Sequence, residues 1–309
     1  MRNDDAPPLV IWEISQACDL ACSNCRVSAA PRRHSSELTT EEGIRLLEQI
    51  RAFGNPLMVF TGGDPLKRPD LFTLIRKSVA LGLRTNIRVS ATPLLTTEAV
   101  QQFKLSGVER MAIGLDGWDA ASHDGFRGIT GSFDYAMGAL EAAREIGLDT
   151  QVQTTVTHAN IHHLYEIADL IERVKARAWS LAPAGDEFEQ VFRNVYEISQ
   201  RVSFDVKIDD IRYHRYLARR LEQLGEVPEP VAQCVGSARG FVFISHTGEI
   251  HPSGFLSASA GNVRYDSLVG VYRDSSLFSL LCVNSQVAGS AARGNSKKYA
   301  EVRGLALML

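Results

Sequence analysis

The segment Cys18–Cys25, with the sequence CDLACSNC, places three of the chain's five cysteines within eight positions. Its spacing is C-x3-C-x2-C, and the polar residues Asp19, Ser23 and Asn24 lie between the cysteines. Free cysteines that only fill a core behave as small hydrophobic residues, and such residues seldom gather in a polar loop. The spacing therefore indicates a metal-binding loop rather than a part of the hydrophobic core.

Several kinds of metal or redox site are compatible with such a loop. A zinc site needs a fourth ligand, which His34 or Cys234 could supply, but structural zinc sites usually show two short ligand pairs. A redox pair at Cys22 and Cys25 leaves Cys18 without a role. An iron–sulfur cluster fits best, because its ligands are thiolates and three of them leave one iron of a four-iron cluster open.

The composition of the 309-residue chain limits its class. Hydrophobic residues make up 45% and charged residues 22%, which is typical of a globular protein with a sizeable core. A net charge of −3 gives no electrostatic reason to expect nucleic acid or a membrane as a partner. No apolar run reaches the roughly 20 residues that span a bilayer, and the polar start MRNDDAPP is unlike a secretory signal. An odd number of cysteines suits a reducing compartment, so we expect a cytoplasmic protein.

Short β-type runs alternate with helical patterns around the cysteine loop. PLVIWEIS (8–15) leads into the loop, and TTEEGIRLLEQIRAF (39–53) after it has the threonine cap and apolar spacing of a helix. Six such strand–helix units, each about 30–35 residues long, predict a parallel sheet with crossover helices. Polar and glycine-rich residues after successive strands favour a barrel, in which the chemistry lies at the carboxyl ends of the strands.

The alternation stops near residue 184. Two amphipathic helices are predicted from EFEQVFRNVYEISQRV and RYHRYLARRLEQLG, and GFVFISHTGEIHPSGFL predicts a β-hairpin with HTGE as its turn. We therefore divide the chain into a barrel core, residues 1–184, and a C-terminal α/β extension, residues 185–309, that covers the mouth of the barrel.

These features together resemble the radical S-adenosylmethionine (radical SAM) superfamily, in which C-x3-C-x2-C lies in the loop after the first strand. The resemblance implies an α/β fold with a partial (β/α)6 barrel of the TIM type and one [4Fe-4S] cluster on Cys18, Cys22 and Cys25. It also implies that SAM binds the open iron and is cleaved reductively to a 5′-deoxyadenosyl radical. A reducing partner such as flavodoxin or ferredoxin then supplies the electron.

The same resemblance implies SAM-binding roles further along the chain. TGGDP (61–65) resembles the GGE-type motif that binds the SAM amino group. SAT (90–92), GLDG (114–117) and QTTVT (153–157) resemble the polar ends of the next three strands, although glycine stands where serine is common in the second of these. HDGFRG (123–128) resembles a loop that supplies an arginine. The implied SAM-binding residues are Gly62, Gly63, Asp64, Ser90, Thr92, Asp116, Gln153 and Thr155, and the implied arginine is Arg127.

The extension resembles the SPASM or twitch extensions of peptide-modifying and haem-pathway members, but without their cysteines. In those relatives Cys234 would begin an auxiliary cluster, yet Ser253 stands where the next cysteine is expected. Cys282 is the only cysteine that follows, so we expect no auxiliary cluster. Asn24 is a second departure, because many members have an aromatic residue or histidine there, near the adenine of SAM.

Without an auxiliary cluster, a small substrate in the barrel mouth is favoured over direct binding of a peptide to iron. Arginine would suit an anionic substrate, because it binds carboxylates through two hydrogen bonds. The same basic segment is also typical of a solvated helix face. The candidate substrate residues, in addition to Arg127, are Lys207, Arg212, Tyr213, His214 and His251.

The pattern is similar to radical SAM enzymes of cofactor and natural-product pathways, including sugar-nucleoside decarboxylases of antibiotic biosynthesis. We therefore expect a lyase- or isomerase-type reaction, namely decarboxylation or epimerisation of a sugar or nucleoside. A peptide-modifying maturase is the enzymatic alternative, but it would need a leader-peptide-binding domain, for which the N-terminal segment is too short. A non-catalytic metal or iron–sulfur sensor, with His34 as an added ligand, is the alternative of another class.

Overall fold

The structure is a computed structural model that describes residues 6–23, 25, 29–184, 188–208, 210–223, 241–254 and 258–278. Asn24, Cys234 and Cys282, on which parts of the sequence analysis depend, lie outside the described residues, as does the side chain of His214. Within the described ranges, no helix combines the length and the hydropathy that a membrane span requires.

The strands of the described part form one sheet. In chain order they are β1 (Leu9–Glu13), β2 (Leu57–Thr61), β3 (Thr85–Val89), β4 (Arg110–Gly114), β5 (Asp149–Val156), β6 (Ala178–Pro183), β7 (Asp205–Ile208), β8 (Val242–Ile244), β9 (Glu249–His251) and β10 (Gly261–Asn262). Their order in the sheet is β10-β9-β8-β1-β2-β3-β4-β5-β6-β7. The strands from β1 to β7 are parallel to their neighbours, and β8 pairs in parallel with the other edge of β1.

Helices connect the parallel strands. They are α1 (Thr40–Phe53), α2 (Leu71–Ala80), α3 (Thr97–Leu105), α4 (Ala120–Arg127), α5 (Ser132–Glu145), α6 (Leu164–Arg173), α7 (Phe188–Ser199), α8 (Ile211–Gln223) and α9 (Leu268–Asp274). Each crossover from β1 to β7 carries at least one helix. The expected α/β fold with a partial TIM-type barrel is thereby confirmed. The alternation missed β7, because this edge strand is short and only Ile208 of its four residues is buried.

Side chains of β1 alternate between two apolar clusters. Val10 and Trp12 belong to the core between the sheet and the helices, whereas Leu9 and Ile11 pack inside the barrel against Phe243 of β8. A strand that is covered on both faces has hydrophobic residues at consecutive positions, which explains the apolar run in PLVIW. By the same alternation Glu13 is the next inward position, so the barrel interior turns polar at its carboxyl end.

The predicted hairpin is confirmed as β8 and β9, which are antiparallel. Gly248 in its turn has φ +89°, a conformation that favours glycine. The hairpin turn is fixed to the chain around the start of α1, because the Leu38 N–H donates to the His246 carbonyl at 2.9 Å. Arg264, which follows β10, adds a link, because it donates to the Thr247 carbonyl at 3.0 Å and pairs with Glu42 of α1 at 2.7 Å. The hairpin thereby extends the barrel wall next to β1.

Candidate active site

The cysteine loop leaves the carboxyl end of β1 and is closed at its base. Ala17 and Ala30 form a parallel bridge, and the Cys18 N–H donates to the Ala30 carbonyl at 2.8 Å. Cys18 is buried, Cys22 half-buried and Cys25 exposed, and all three line one cavity at this end of the barrel. The structure therefore brings the three predicted ligands together.

The paired glycines of TGGDP hold the cysteine loop against β2. The Gly63 N–H donates to the Ser15 carbonyl at 2.8 Å, and the Asp64 N–H to the Ala17 carbonyl at 2.6 Å. A Cβ at Gly62 would lie 2.4 Å from the Ser15 carbonyl oxygen, and one at Gly63 would lie 2.6 Å from that of Ala17. Both glycines also line the cavity. Both positions therefore require glycine, because the chain that enters the cysteine loop passes too close for a side chain.

The Asp64 carboxylate turns away from the cavity. Its oxygens accept hydrogen bonds from the Leu66 N–H at 3.0 Å and from the Thr92 hydroxyl at 2.7 Å. Burial raises the pKa of Asp64 above its ordinary value. Both side chains are fully buried, and neither is among the described residues that line the cavity. The family resemblance implied SAM contacts for Asp64 and Thr92, whereas in the structure their side chains hold the TGGDP loop to the segment that follows β3.

Ser90 joins the two loops at the cavity. Its hydroxyl donates to the Gly63 carbonyl at 2.5 Å and lies 3.7 Å from the Cys18 sulfur. Burial raises the pKa of the Cys18 thiol, although the Ser90 hydroxyl opposes this effect. Ser90, Gln153 and Thr155 line the cavity, as the sequence analysis expects of SAM-binding residues.

Arg127 lies at the other side of the cysteine loop. Its guanidinium pairs with the buried Asp116 carboxylate, and its Nη1 is 3.7 Å from the Cys22 sulfur. Burial opposes the charge, but Asp116 and Cys22 outweigh it and raise the pKa of Arg127. Asp116 also accepts the Thr155 N–H at 2.7 Å. Arg127 lines the cavity, whereas Asp116 stands behind it.

His123 supports the loop that contains Asp116 through a hydrogen bond to its main chain. The Asp116 N–H donates to its Nδ1 at 3.1 Å, and its Nε2 lies 3.4 Å from the Ser132 hydroxyl. Burial lowers the pKa of His123 to about 3. The imidazole is therefore neutral, with Nδ1 as the acceptor and the proton on Nε2.

The cavity contains further polar and aromatic residues that the sequence analysis missed. It holds about 1230 Å³ free of protein atoms, part of which is open to solvent. Glu13, Arg88 and Ser180 point inward from β1, β3 and β6, and Phe126 and Phe243 add aromatic surface. The Glu13 carboxylate lies 2.6 Å from His246 Nδ1. The signal in the sequence was a charged residue inside a β-type run, as in VIWEIS and NIRVS.

Of the residues expected to reach substrate from the extension, the four whose side chains the structure describes do not line this cavity. Arg212 pairs with Asp210 at 2.5 Å, and Tyr213 is buried against Phe192. Lys207 is a half-buried residue of β7, and His251 Nδ1 lies 3.0 Å from the Ala258 carbonyl. The reason is topological for three of them, because β7 is the edge strand at the other end of the described sheet from β8, β9 and β10, and α8 follows β7 in the chain. A role in substrate binding for these residues has no support from their positions.

The donor set at the cavity fits an iron–sulfur cluster. Three free thiols share the wall, the Ser90 hydroxyl lies beside Cys18, and a guanidinium lies beside Cys22. No three His, Cys, Asp or Glu side chains in the described part are grouped so as to hold a single metal ion. Ligands of a cluster bind different iron atoms and do not need to converge on one point. His34, the added ligand of the sensor hypothesis, instead packs its ring edge to face with His246 at 5.7 Å.

Comparison with known proteins agrees with this interpretation of the site. A sequence model of the Radical SAM superfamily matches residues 12–171. An AdoMet-dependent heme synthase of Nitratidesulfovibrio vulgaris is 36% identical over 294 residues, which cover 87% of this chain and 80% of the relative. An AdoMet-dependent heme synthase of Methanosarcina barkeri is 29% identical, over 95% of this chain and 90% of the relative.

A solved structure shares the fold. Streptococcus suis SuiB bound to S-adenosylmethionine superposes with a TM-score of 0.74 and 16% sequence identity, over 90% of this chain and 68% of SuiB. The superposition covers a larger share of the chain than residues 12–171, which the family model matches.

Proposed function

This chain belongs to the radical SAM superfamily, and from that membership we propose that it modifies a haem-type tetrapyrrole or a precursor of one, bound by its carboxylates. The chain is a radical SAM enzyme that uses a [4Fe-4S] cluster and SAM. When bound, these two groups supply the 5′-deoxyadenosyl radical that removes a hydrogen atom from the substrate. The observation that carries the substrate proposal is the likeness to AdoMet-dependent heme synthases over nearly the whole chain.

The residues proposed for the cofactors are those that share the cavity wall. Cys18, Cys22 and Cys25 hold the cluster, because they are the thiols of the closed loop. Ser90, Gln153 and Thr155 offer hydroxyl and amide groups to SAM from the ends of β3 and β5. Asp64, Thr92 and Asp116 act indirectly, because they fix the loops and Arg127 rather than the cavity surface.

Arg88 is proposed to bind a substrate carboxylate. It is the residue before the last of β3, lines the same cavity as the three cysteines and is half-buried there. Arginine binds a carboxylate through two charge-assisted hydrogen bonds. Phe126 and Phe243 add apolar area for a flat macrocycle, and Ser180 adds a hydroxyl.

A sugar or nucleoside substrate from antibiotic biosynthesis, which was expected from the sequence, has no support among these relatives. The two curated relatives described above are heme synthases, so haem or cofactor biosynthesis is the better-supported setting. Decarboxylation remains the proposed reaction class. It would begin with removal of a hydrogen atom from the carbon next to the one that bears the carboxylate. The carbon–carboxylate bond would then break, with CO2 leaving, a carbon–carbon double bond forming and one electron returning to the cluster that was oxidised when SAM was cleaved.

The test is anaerobic incubation of the cluster-reconstituted chain with SAM, dithionite and iron coproporphyrin III, a carboxylated iron tetrapyrrole. We expect 5′-deoxyadenosine to form and the tetrapyrrole to lose CO2, both measured by mass spectrometry. Deuterium on the side chains of the tetrapyrrole should appear in 5′-deoxyadenosine. SAM cleavage without any change in the tetrapyrrole would contradict the proposed substrate, and a peptide would then be the next candidate.

A variant tests the role of Arg88. Arg88→Gln should raise KM for the tetrapyrrole by about 10- to 100-fold, because a charge-assisted hydrogen bond contributes roughly 1.5–3 kcal/mol. Arg84→Gln is the matched control, since Arg84 lies just before β3 and is an exposed partner of Glu109. Equal KM values in the two variants would remove Arg88 from the substrate site.

A further inference from the structure

The guanidinium of Arg127 lies across the carboxyl end of β4. It comes from the last residue of α4, and its Nη1 lies 3.7 Å from the Cys22 sulfur. The Asp116 carboxylate holds the same guanidinium from behind. A positive charge with N–H donors is therefore fixed beside one of the three thiols of the cavity.

Gly114, the last residue of β4, makes room for this guanidinium. A Cβ built on Gly114 would lie 1.7 Å from Arg127 Nη2 and 2.7 Å from Arg127 Cζ. These distances are far below van der Waals contact, so no residue larger than glycine is compatible with the observed position of Arg127. The glycine in GLDG, where serine is common in relatives, is thus coupled to the arginine in HDGFRG.

The backbone at the end of α4 also carries the cysteine loop. The Ala21 N–H donates to the Arg127 carbonyl at 3.0 Å, and the Ser23 N–H to the Phe126 carbonyl at 3.2 Å. Gly128 follows with φ +69°, and a Cβ there would lie 2.6 Å from the Ala21 carbonyl oxygen. The loop and the arginine are therefore held in register by main-chain contacts as well as by the side chain.

We propose that Gly114 and Arg127 form one positioning unit that sets the reduction potential of the cluster on Cys18, Cys22 and Cys25. Gly114 leaves the space through which Arg127 reaches the Cys22 sulfur, and Asp116 fixes its direction. Hydrogen bonds and positive charge at a ligand sulfur stabilise the reduced, more negative cluster and raise its potential. The inference depends on the cluster and not on the identity of the substrate.

The test is a redox titration of the reconstituted full-length chain, followed by electron paramagnetic resonance in the absence of SAM and substrate. Arg127→Gln should lower the midpoint potential, and Gly114→Ala should lower it to the same extent by displacing the guanidinium. The double variant should fall no further than either single variant, because there is then no guanidinium left to displace. Gly125→Ala is the matched control, since a Cβ on Gly125 in α4 meets nothing within 4 Å.

Two results would overturn the proposal. One is an unchanged potential in Gly114→Ala; the other is an additive shift in the double variant. Iron content and circular dichroism establish that each variant folds and holds its cluster. If Gly114→Ala does not assemble a cluster, Asp116→Asn replaces it, because the amide oxygen still accepts the Thr155 N–H while the ion pair with Arg127 is lost. A midpoint potential of Asp116→Asn equal to that of the native chain would then refute the positioning unit of Gly114 and Arg127.

Discussion

The buried imidazole of His123 should make the free energy of unfolding decrease at acid pH. The ring is fully buried, and its Nδ1 accepts the N–H of Asp116, the residue that orients Arg127. Burial, with a smaller contribution from the Arg127 charge, lowers the pKa of His123 from 6.5 to about 3. Protonation at Nδ1 would also remove the acceptor that the Asp116 N–H needs.

The sign and size of the effect follow from the two pKa values. The unfolded chain takes up a proton at His123 as pH falls below about 6.5, whereas the folded chain does not until pH approaches about 3. The contribution of the neutral ring is therefore present above pH 6.5 and is lost as pH falls through this window. Between pH 7 and pH 5 the free energy of unfolding should fall by about 2 kcal/mol from this group.

The assay compares the native chain with His123→Asn, which keeps an oxygen acceptor for the Asp116 N–H but cannot ionise. Urea unfolding of the cluster-free chains, followed by circular dichroism, gives the free energy of unfolding at pH 7 and pH 5. The stability advantage of the native chain should shrink by about 2 kcal/mol between these pH values. A constant difference, or an imidazole NMR titration with a midpoint near 6.5, would refute the reasoning.

Three further perturbations address the loop and its support. Gly63→Ala places a Cβ 2.6 Å from the Ala17 carbonyl oxygen, whereas the Cβ of the control variant Gly138→Ala meets open space. The iron bound per chain should therefore be well below that of the control. Equal iron contents in the two variants would contradict the close approach at Gly63. Arg68→Met removes the buried guanidinium that binds the carbonyls of Ile14 and Leu38 and the Asp70 carboxylate. The free energy of unfolding, measured by thermal or urea unfolding, should fall by about 3–5 kcal/mol. A decrease below about 1 kcal/mol would show that the arginine is dispensable. Cys22→Ala should abolish both the cluster absorbance and SAM cleavage, whereas Cys234→Ala should retain both; loss of the cluster in Cys234→Ala would mean that this cysteine is a ligand.

Local patterns in the sequence were sufficient for the cofactor class. The spacing of Cys18, Cys22 and Cys25 is a property of one short loop, and a loop that must offer three thiolates to one cluster can be recognised without the rest of the chain. The alternation of β-type runs and helical periods was sufficient for the α/β barrel, because each period is set within a few turns of the chain. The glycines of TGGDP were found for the same reason, although their strongest contacts are with Ser15 and Ala17 rather than with a ligand.

Side-chain direction and strand order could not be obtained in this way. Asp64 and Asp116 stand in motif positions, yet one caps a turn and bonds Thr92 while the other holds Arg127. These partners are distant in sequence, and hydrogen bonds between distant groups are decided by packing. The basic helix α8 was expected at the barrel mouth, but it follows β7 at the far edge of the sheet.

The sequence by itself determined the chemistry of the loop and the class of the fold, because both depend on spacing along the chain. Only the tertiary structure decided which side chains share the cavity. Glu13 and Arg88 meet the cysteines there because their strands lie side by side with β2 and point these residues inward. Gly114 and Arg127 are joined in the same way: neither residue carries a signal for the other, and only the crossing of α4 over the end of β4 makes the glycine necessary.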